Sequence, residues 1–538
     1  MTGFQEAPDP SALALPSAAS GSLAPPVAPR GLDAFLVSLF APPFVLRQQE
    51  LRLVAGLACI LAVWTDVLFY RAGLGINVTI WFASLATAAV VAGRRLGRPL
   101  PADRVAVLAI AVALSAVTAW RDSGALQFFG LVAALGLLGV GVGLAVGLPV
   151  RNISPVSALM ALINCAASMG TSEWRLLSNL GWRELLTSRG RVPALRVVRA
   201  LAITLPALLV FGGLFAAADA VFAEQVRHVF WFDLSGVAVH LFWLLFGAWF
   251  ATAGLTGAIA VRLPHEVTIT VPDRQSLGRV ETGIVLGSLA ILFALFVAVQ
   301  IRTLFGGDDV VQRSVGLTYA AYARRGFFEL VTASLLVLPL LAAINWARRR
   351  DLPSKRQFLV LAVILTALLF VIMASAWQRL AMYREAFGLT ELRLYAVATL
   401  PWLAAASLWF IWSVARERME QFLSAAALLA VLTLLALYVI SPEDLIVRTN
   451  AARIEQSKPF DAAYAASLGA DAVPVLIASF DALPAADRCV VAKALLSHAD
   501  SSEGIRSWNL ARSRASALAA QLSTGPVGEE ARTCSPAG

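Results

Sequence analysis

Nine side chains in this 538-residue chain are of types that bind or react at a membrane surface: Asp66, Asp219, Gln300, Tyr322, Arg325, Glu329, Tyr383, Glu391 and Arg393. A carboxylate near lipid is an acid or base, a guanidinium grips an anionic group, and a phenol offers a polar tip on an apolar ring. Spacing sharpens two of the sets. In "YAAYARRGFFELV", residues 319–331, Tyr322, Arg325 and Glu329 share one helical face while Arg324 points away. Arg325 and Glu329 are i,i+4 partners, in the less favourable order. In "MYREAFGLTELRLYA", Gly388 is placed to end one helix and Thr390 to cap the next. Glu391 then meets the positive end of the second helix's dipole.

The elements that must position these groups are membrane helices. A spanning helix needs about 20 apolar residues, and eleven runs qualify: approximately 51–70, 74–93, 104–120, 126–148, 198–218, 236–261, 282–303, 327–346, 357–378, 393–415 and 422–440. The expected fold is an all-α polytopic bundle, residues 47–440, followed by a small helical extramembrane domain, 441–525. The Pro, Ala and Ser-rich head, 1–46, reads as a disordered cytoplasmic tail, and 526–538 as a second disordered tail. Outside the C-terminal domain, 24 Lys and Arg fall on the predicted inner side and ten on the outer, which sets the N-terminus in the cytoplasm and the C-terminus outside it. The run at 154–170 is an alternative span. Counting it removes the charge bias, so it reads as an inner-face segment.

On this topology the candidate residues lie at similar depth, toward the outer ends of the spans. Gln378, Arg379, Tyr383, Arg384, Glu391 and Arg393 are expected in one outer turn. The middle third of every span lacks Asp, Glu, Lys, Arg and His, which weakens an ion-coupled transporter. Gly139, Gly143 and Gly147, four apart, suit close helix packing.

The composition, 59% hydrophobic and 14% charged, places the chain in a lipid bilayer. Its net charge of +9 sits in short clusters without a basic stripe or a nucleic-acid motif, so no nucleic-acid partner is expected. The four histidines and four cysteines have no ligand spacing, and neither metal nor cofactor is implied. Cys489 and Cys534 would share an oxidising compartment and are open to a disulfide, while Cys489 beside Val490 and Val491 reads equally as a buried thiol. In the tail, three or four short helices are expected, with Gly469 as a C-cap and Asp471 as an N-cap.

The segments "DVLFYRAGLGINVTIW", "TYAAYARRGFFELV", "YREAFGLTELRLYA", "FDAAYAASLGADAVPVL" and "RSWNLARSR" resemble the bacterial family catalogued as domain of unknown function 4173, with its relative 4153. The resemblance implies a multi-pass protein of the bacterial inner membrane and brings no activity, substrate or cofactor with it. Three functions stay open. The first is a non-enzymatic envelope sensor or scaffold that binds a lipid or envelope protein through an outer polar cluster. The second is a transporter or flippase of an amphiphile. The third is a membrane enzyme using Asp66, Asp219, Glu329 or Glu391; no Ser/His/Asp set or nucleotide fingerprint supports it, and the sequence leans away from it. The oligomeric state is open.

Overall fold

Peptide groups in lipid have no water to bond, so an apolar chain must satisfy them within helices. The computed structural model describes residues 47–143, 234–260, 276–305, 327–499 and 504–534, with scattered positions between 166 and 178 and between 204 and 219. The 1–46 head, most of the 154–170 and 198–218 runs and the 306–326 segment that carries Tyr322 and Arg325 lie outside the described residues.

Among the described residues the fold is all-α, and ten helices are long and apolar enough to cross a membrane. They are α1 (Gln48–Phe69), α2 (Ile76–Arg95), α3 (Ala102–Trp120, with a break at Ala116), α4 (Gly124–Gly143) and α5 (Leu234–Ala260), then α6 (Arg279–Phe305), α7 (Phe327–Ala347), α8 (Leu352–Phe387), α9 (Glu391–Ala415) and α10 (Phe422–Ile440). One apolar core joins α1–α5 to α10, with Phe69, Trp81, Trp243, Phe246 and Phe250 in mutual ring contact. A second core is built from α6–α9 and the start of α10. Lipid gives no hydrophobic drive for helix association, so these cores are held by close packing and a few polar contacts.

The longest helix differs from its expected span. Helix α8 has 36 residues, about 54 Å at 1.5 Å per residue, against a hydrocarbon core of about 30 Å. The polar run from Gln378 to Glu385 ends the apolar stretch without ending the helix, because Arg, Met, Leu, Ala and Glu are all good helix formers. Gln378, Arg379, Tyr383 and Arg384 are therefore helical, and the turn shrinks to 388–390. Gly388 makes that turn at φ +79°, a conformation costly for any residue with a Cβ.

Among the described residues after Ile440 there are six further α-helices, more than the three or four expected. They are α11 (Pro442–Ala451), α12 (Ala462–Ser467), α13 (Val473–Ser479), α14 (Ala485–Ser497), α15 (Leu510–Leu522) and α16 (Pro526–Thr533). Helix α16 occupies part of the segment expected to be a disordered tail. A disulfide between Cys489 and Cys534, Cα atoms 5.8 Å apart, ties its end to α14. The domain's core includes Leu389 and Leu394 from the α8–α9 turn and the start of α9. It is thus continuous with the bundle.

Candidate functional site

Three turns of the bundle, 70–75, 121–123 and 388–390, meet the tail domain, and most of the polar side chains at that seam are spent on fastening it. Arg121 donates from Nη1 to Asp471 Oδ1 at 2.9 Å and from Nε to the Tyr438 carbonyl at 2.7 Å. The Asp122 N–H donates to Asp471 Oδ2 at 2.6 Å. In return, Asp122 accepts from the Ala470 N–H at 3.0 Å and from Arg512 Nη1 at 2.9 Å. Gly469 has no alternative here, since a Cβ would stand 2.3 Å from the Asp122 carbonyl oxygen. Neither Gly469 nor Asp471 plays the expected capping part. Asp471 is a buried ion-pair partner, and burial raises its pKa against the Arg121 and Asp122 contacts that lower it.

Asn509 serves both sides. Its Oδ1 caps α15 by accepting from the Arg512 N–H, and its Nδ2 donates to the Thr118 and Arg121 carbonyls at 2.8 and 2.9 Å. The Trp508 carbonyl accepts from the Ile76 N–H at 3.0 Å.

At the third turn Asn450 bonds both the N–H and the carbonyl of Leu389, at 2.7 and 2.9 Å. Arg453 donates from Nη2 to the carbonyls of Glu385 and Ala386, both at 3.0 Å, a cation at the negative end of α8. Thr390 stands at the cap position of α9 without a side-chain capping bond. The Tyr464 hydroxyl, from α12, accepts the Glu391 N–H instead, at 2.9 Å.

Glu443 is a deeply buried acid of the seam. It is 1% exposed, in the first turn of α11, and neither carboxylate oxygen has a hydrogen-bond partner; the nearby Ser123 hydroxyl contacts Tyr395 at 3.3 Å. Burial pushes its pKa up to about 7 against the nearby Ser123 hydroxyl and its own backbone, which lower it, while the charges of Asp471 and Glu391 push the same way as burial. Near neutral pH this acid is poised between its forms.

The sequence-derived candidates separate into groups. Tyr383, Glu391 and Arg393 come together at the α8–α9 turn. The Arg393 guanidinium lies 3.9 Å over the Tyr383 ring and donates to the Gly388 carbonyl. Gln300 is buried and accepts from Arg379 Nη2 at 2.7 Å and Ser375 at 3.1 Å. Asp66 pairs with His240, whose Nδ1 is 2.8 Å from both carboxylate oxygens and whose ring stacks on Tyr70 at 3.6 Å. Glu329 and Asp219 are exposed. Tyr322 and Arg325 lie outside the described residues.

Sequence reasoning missed Arg121, Asp122, Arg512, Asn509, Glu443 and His240. A legible signal existed for some of them: "RD" in the tight 121–123 turn and "SPED" directly after the last span. Partners more than 300 residues away were not legible.

No curated protein and no solved structure matches this chain. A family model described as Domain of unknown function (DUF4153) matches residues 108–479. The match runs from within α3 through the remaining described spans to the end of α13, leaving α1, α2 and the tail helices α14–α16 outside it. It is the relative, 4153, that this match shows, and not 4173. Covering about two thirds of the residues, it establishes that the chain belongs to the DUF4153 family of unknown function.

Proposed function

We propose that the protein is a non-enzymatic sensor or scaffold of the bacterial inner membrane, with its tail domain outside the cytoplasm as a ligand-reading cap on the bundle. The observation that carries this reading is the seam. The domain is fastened to three turns at once, by Arg121 to Asp471, by the Leu389 N–H to Asn450 and by Arg512 to the Leu74 carbonyl, and shares its apolar core with Leu389 and Leu394. An element so joined passes a change at its own surface to the span ends.

Orientation is supported by charge. Arg94, Arg95, Arg98, Arg349, Arg350, Arg356 and Arg416 gather at the end of the bundle away from the domain, as a cytoplasmic face requires. The disulfide supports an oxidising compartment for the domain. Helix α4 leads away from the domain, whereas His240, near the start of α5, sits beside Asp66 at the domain end. That change of face agrees with eleven spans rather than twelve.

The test is hydrogen exchange on the full chain in nanodiscs. Asp471→Asn is expected to speed exchange across both 118–127 and 507–512, because the two are fastened through one network. Faster exchange confined to 469–473 would make the domain a passive appendage and end the scaffold reading.

A second reading, a membrane enzyme acting on an envelope lipid, is favoured by the Asp66–His240 pair. A carboxylate holding Nδ1 leaves Nε2 available as a base. Loss of a lipid-modifying activity in His240→Gln, with the seam intact, would move the balance to it.

A further inference from the structure

The short helical turn Ile505–Ser507 of the tail domain rests on the ends of three membrane spans. The Trp508 carbonyl, which follows it, accepts from the N–H of Ile76, the first residue of α2, and Asn509 bonds the Thr118 carbonyl in the last turn of α3. Arg506 reaches to α1, where its Nη1 donates to the Val67 carbonyl at 2.6 Å. Gly75 packs so closely that a Cβ would stand 2.3 Å from the Ser507 carbonyl oxygen. Span ends meet the lipid headgroups, so these bonds hold 505–508 at the boundary between membrane and water.

At that depth the turn presents apolar side chains outward. Ile505 is 91% exposed, the highest value for a large apolar side chain among the described residues, and Trp508 is exposed beside it. Neither belongs to the domain's apolar core. A lone exposed isoleucine on a soluble domain would mean little, but this one continues a face that already belongs to lipid. Ile60, Val63 and Val67 recur along α1 at helical spacing, all exposed, and Leu74 extends the stripe into the α1–α2 turn. Arg506 is bonded to a residue of that stripe, so its neighbour Ile505 stands within an arginine's reach of it. Trp508 takes the interfacial place that suits an indole, as the exposed Trp120 does at the end of α3.

We infer that the 505–508 turn is a lipid anchor, with Ile505 and Trp508 inserted into the interface of the adjacent bilayer leaflet. The occupant is lipid and not a second protein, because the turn is pinned beside the lipid-facing stripe of α1 at the height of the span ends. The anchor goes beyond the sensor or scaffold reading and does not need it, since it requires only the docked domain and a bilayer.

The test introduces Ile505→Cys into the full-length chain with Cys59→Ala, labels it with a polarity-sensitive nitrobenzoxadiazole dye and reconstitutes it in phosphatidylcholine nanodiscs. The dye is expected to lose most of its emission to lipids that carry a nitroxide at carbon five of the acyl chain, and little to aqueous iodide. Quenching by iodide as strong as that of the free dye, with none by the nitroxide, overturns the anchor. Protection from both quenchers means that protein covers the turn, a second copy included, and overturns it as well. Ile505→Asp needs no dye. Its side chain has almost no contact within the chain to lose, so its effect reports the bilayer, and hydrogen exchange at 504–512 in nanodiscs is expected to quicken about tenfold. Rates equal to those of the unaltered protein overturn the anchor and leave the docked domain standing, whereas fast exchange at 118–127 in the unaltered protein removes docking and anchor together.

Discussion

Arg121 and Asp471, 350 positions apart in the chain, meet at 2.9 Å where the α3–α4 turn enters the tail domain, and the same carboxylate accepts the neighbouring Asp122 N–H at 2.6 Å. Both side chains are mostly buried. Removing one charge leaves the other in a poor dielectric, a loss of about 3 kcal/mol. Asp471→Asn is therefore expected to lower the thermal midpoint of the full-length protein clearly. Arg121→Met with Asp471→Leu should recover part of the loss, and no recovery would show that the N–H contact of Asp122 dominates.

Glu443 is expected to make docking pH-dependent. Its pKa stands at about 7 in the docked state against an ordinary value of 4.5. A raised carboxylate pKa means that the folded state favours the proton, so its stabilisation is complete below about pH 4.5 and is lost as pH rises through about 7. The difference is on the order of 3 kcal/mol. Thermal melts should show a more stable protein at pH 5 than at pH 8, and Glu443→Gln should flatten most of that slope. A slope equally steep in the variant would assign it to another group, Asp471 first.

Asn509 makes three bonds with one amide. Asn509→Ala strips the cap from α15 and a donor from each of the Thr118 and Arg121 carbonyls, for about 2–4 kcal/mol in total. Asn509→Asp keeps the cap and loses the donors. Measured against each other by chemical denaturation, the Asp variant should be about as unstable as Ala or worse, since its charge faces carbonyl oxygens. If Asp behaves like the unaltered protein, the contacts to Thr118 and Arg121 contribute nothing.

The disulfide closes a loop of 45 residues, worth about 4 kcal/mol in chain entropy. Cys534→Ser should detach α16 first, exposing 526–534 to proteases before the rest of the domain opens. Fusions of a reporter active only in oxidising compartments, placed after Ser523, should be active. An inactive fusion would reverse the orientation proposed above.

Much of the fold was legible because its causes are local. Apolar runs of spanning length, bounded by Arg clusters, dictate helices and a membrane; Gly388 marks a turn because only glycine takes φ +79° cheaply. The end of α8 was misplaced for an equally local reason, since polarity reports where lipid ends and says little about where a helix ends.

The amino-acid sequence by itself determined the all-α class and the places of ten long apolar helices, and it named polar residues without pairing them. Tertiary structure decided which of them meet. Depth is a one-dimensional coordinate, and groups at equal depth are still free to lie on different sides of a bundle. Asp66 found His240, Gln300 found Arg379, and Glu391 joined the seam, while Arg121 took its partner from a domain that begins three hundred residues later. Those pairings depend on which helices pack and how the tail folds back, and no spacing within the chain encodes them.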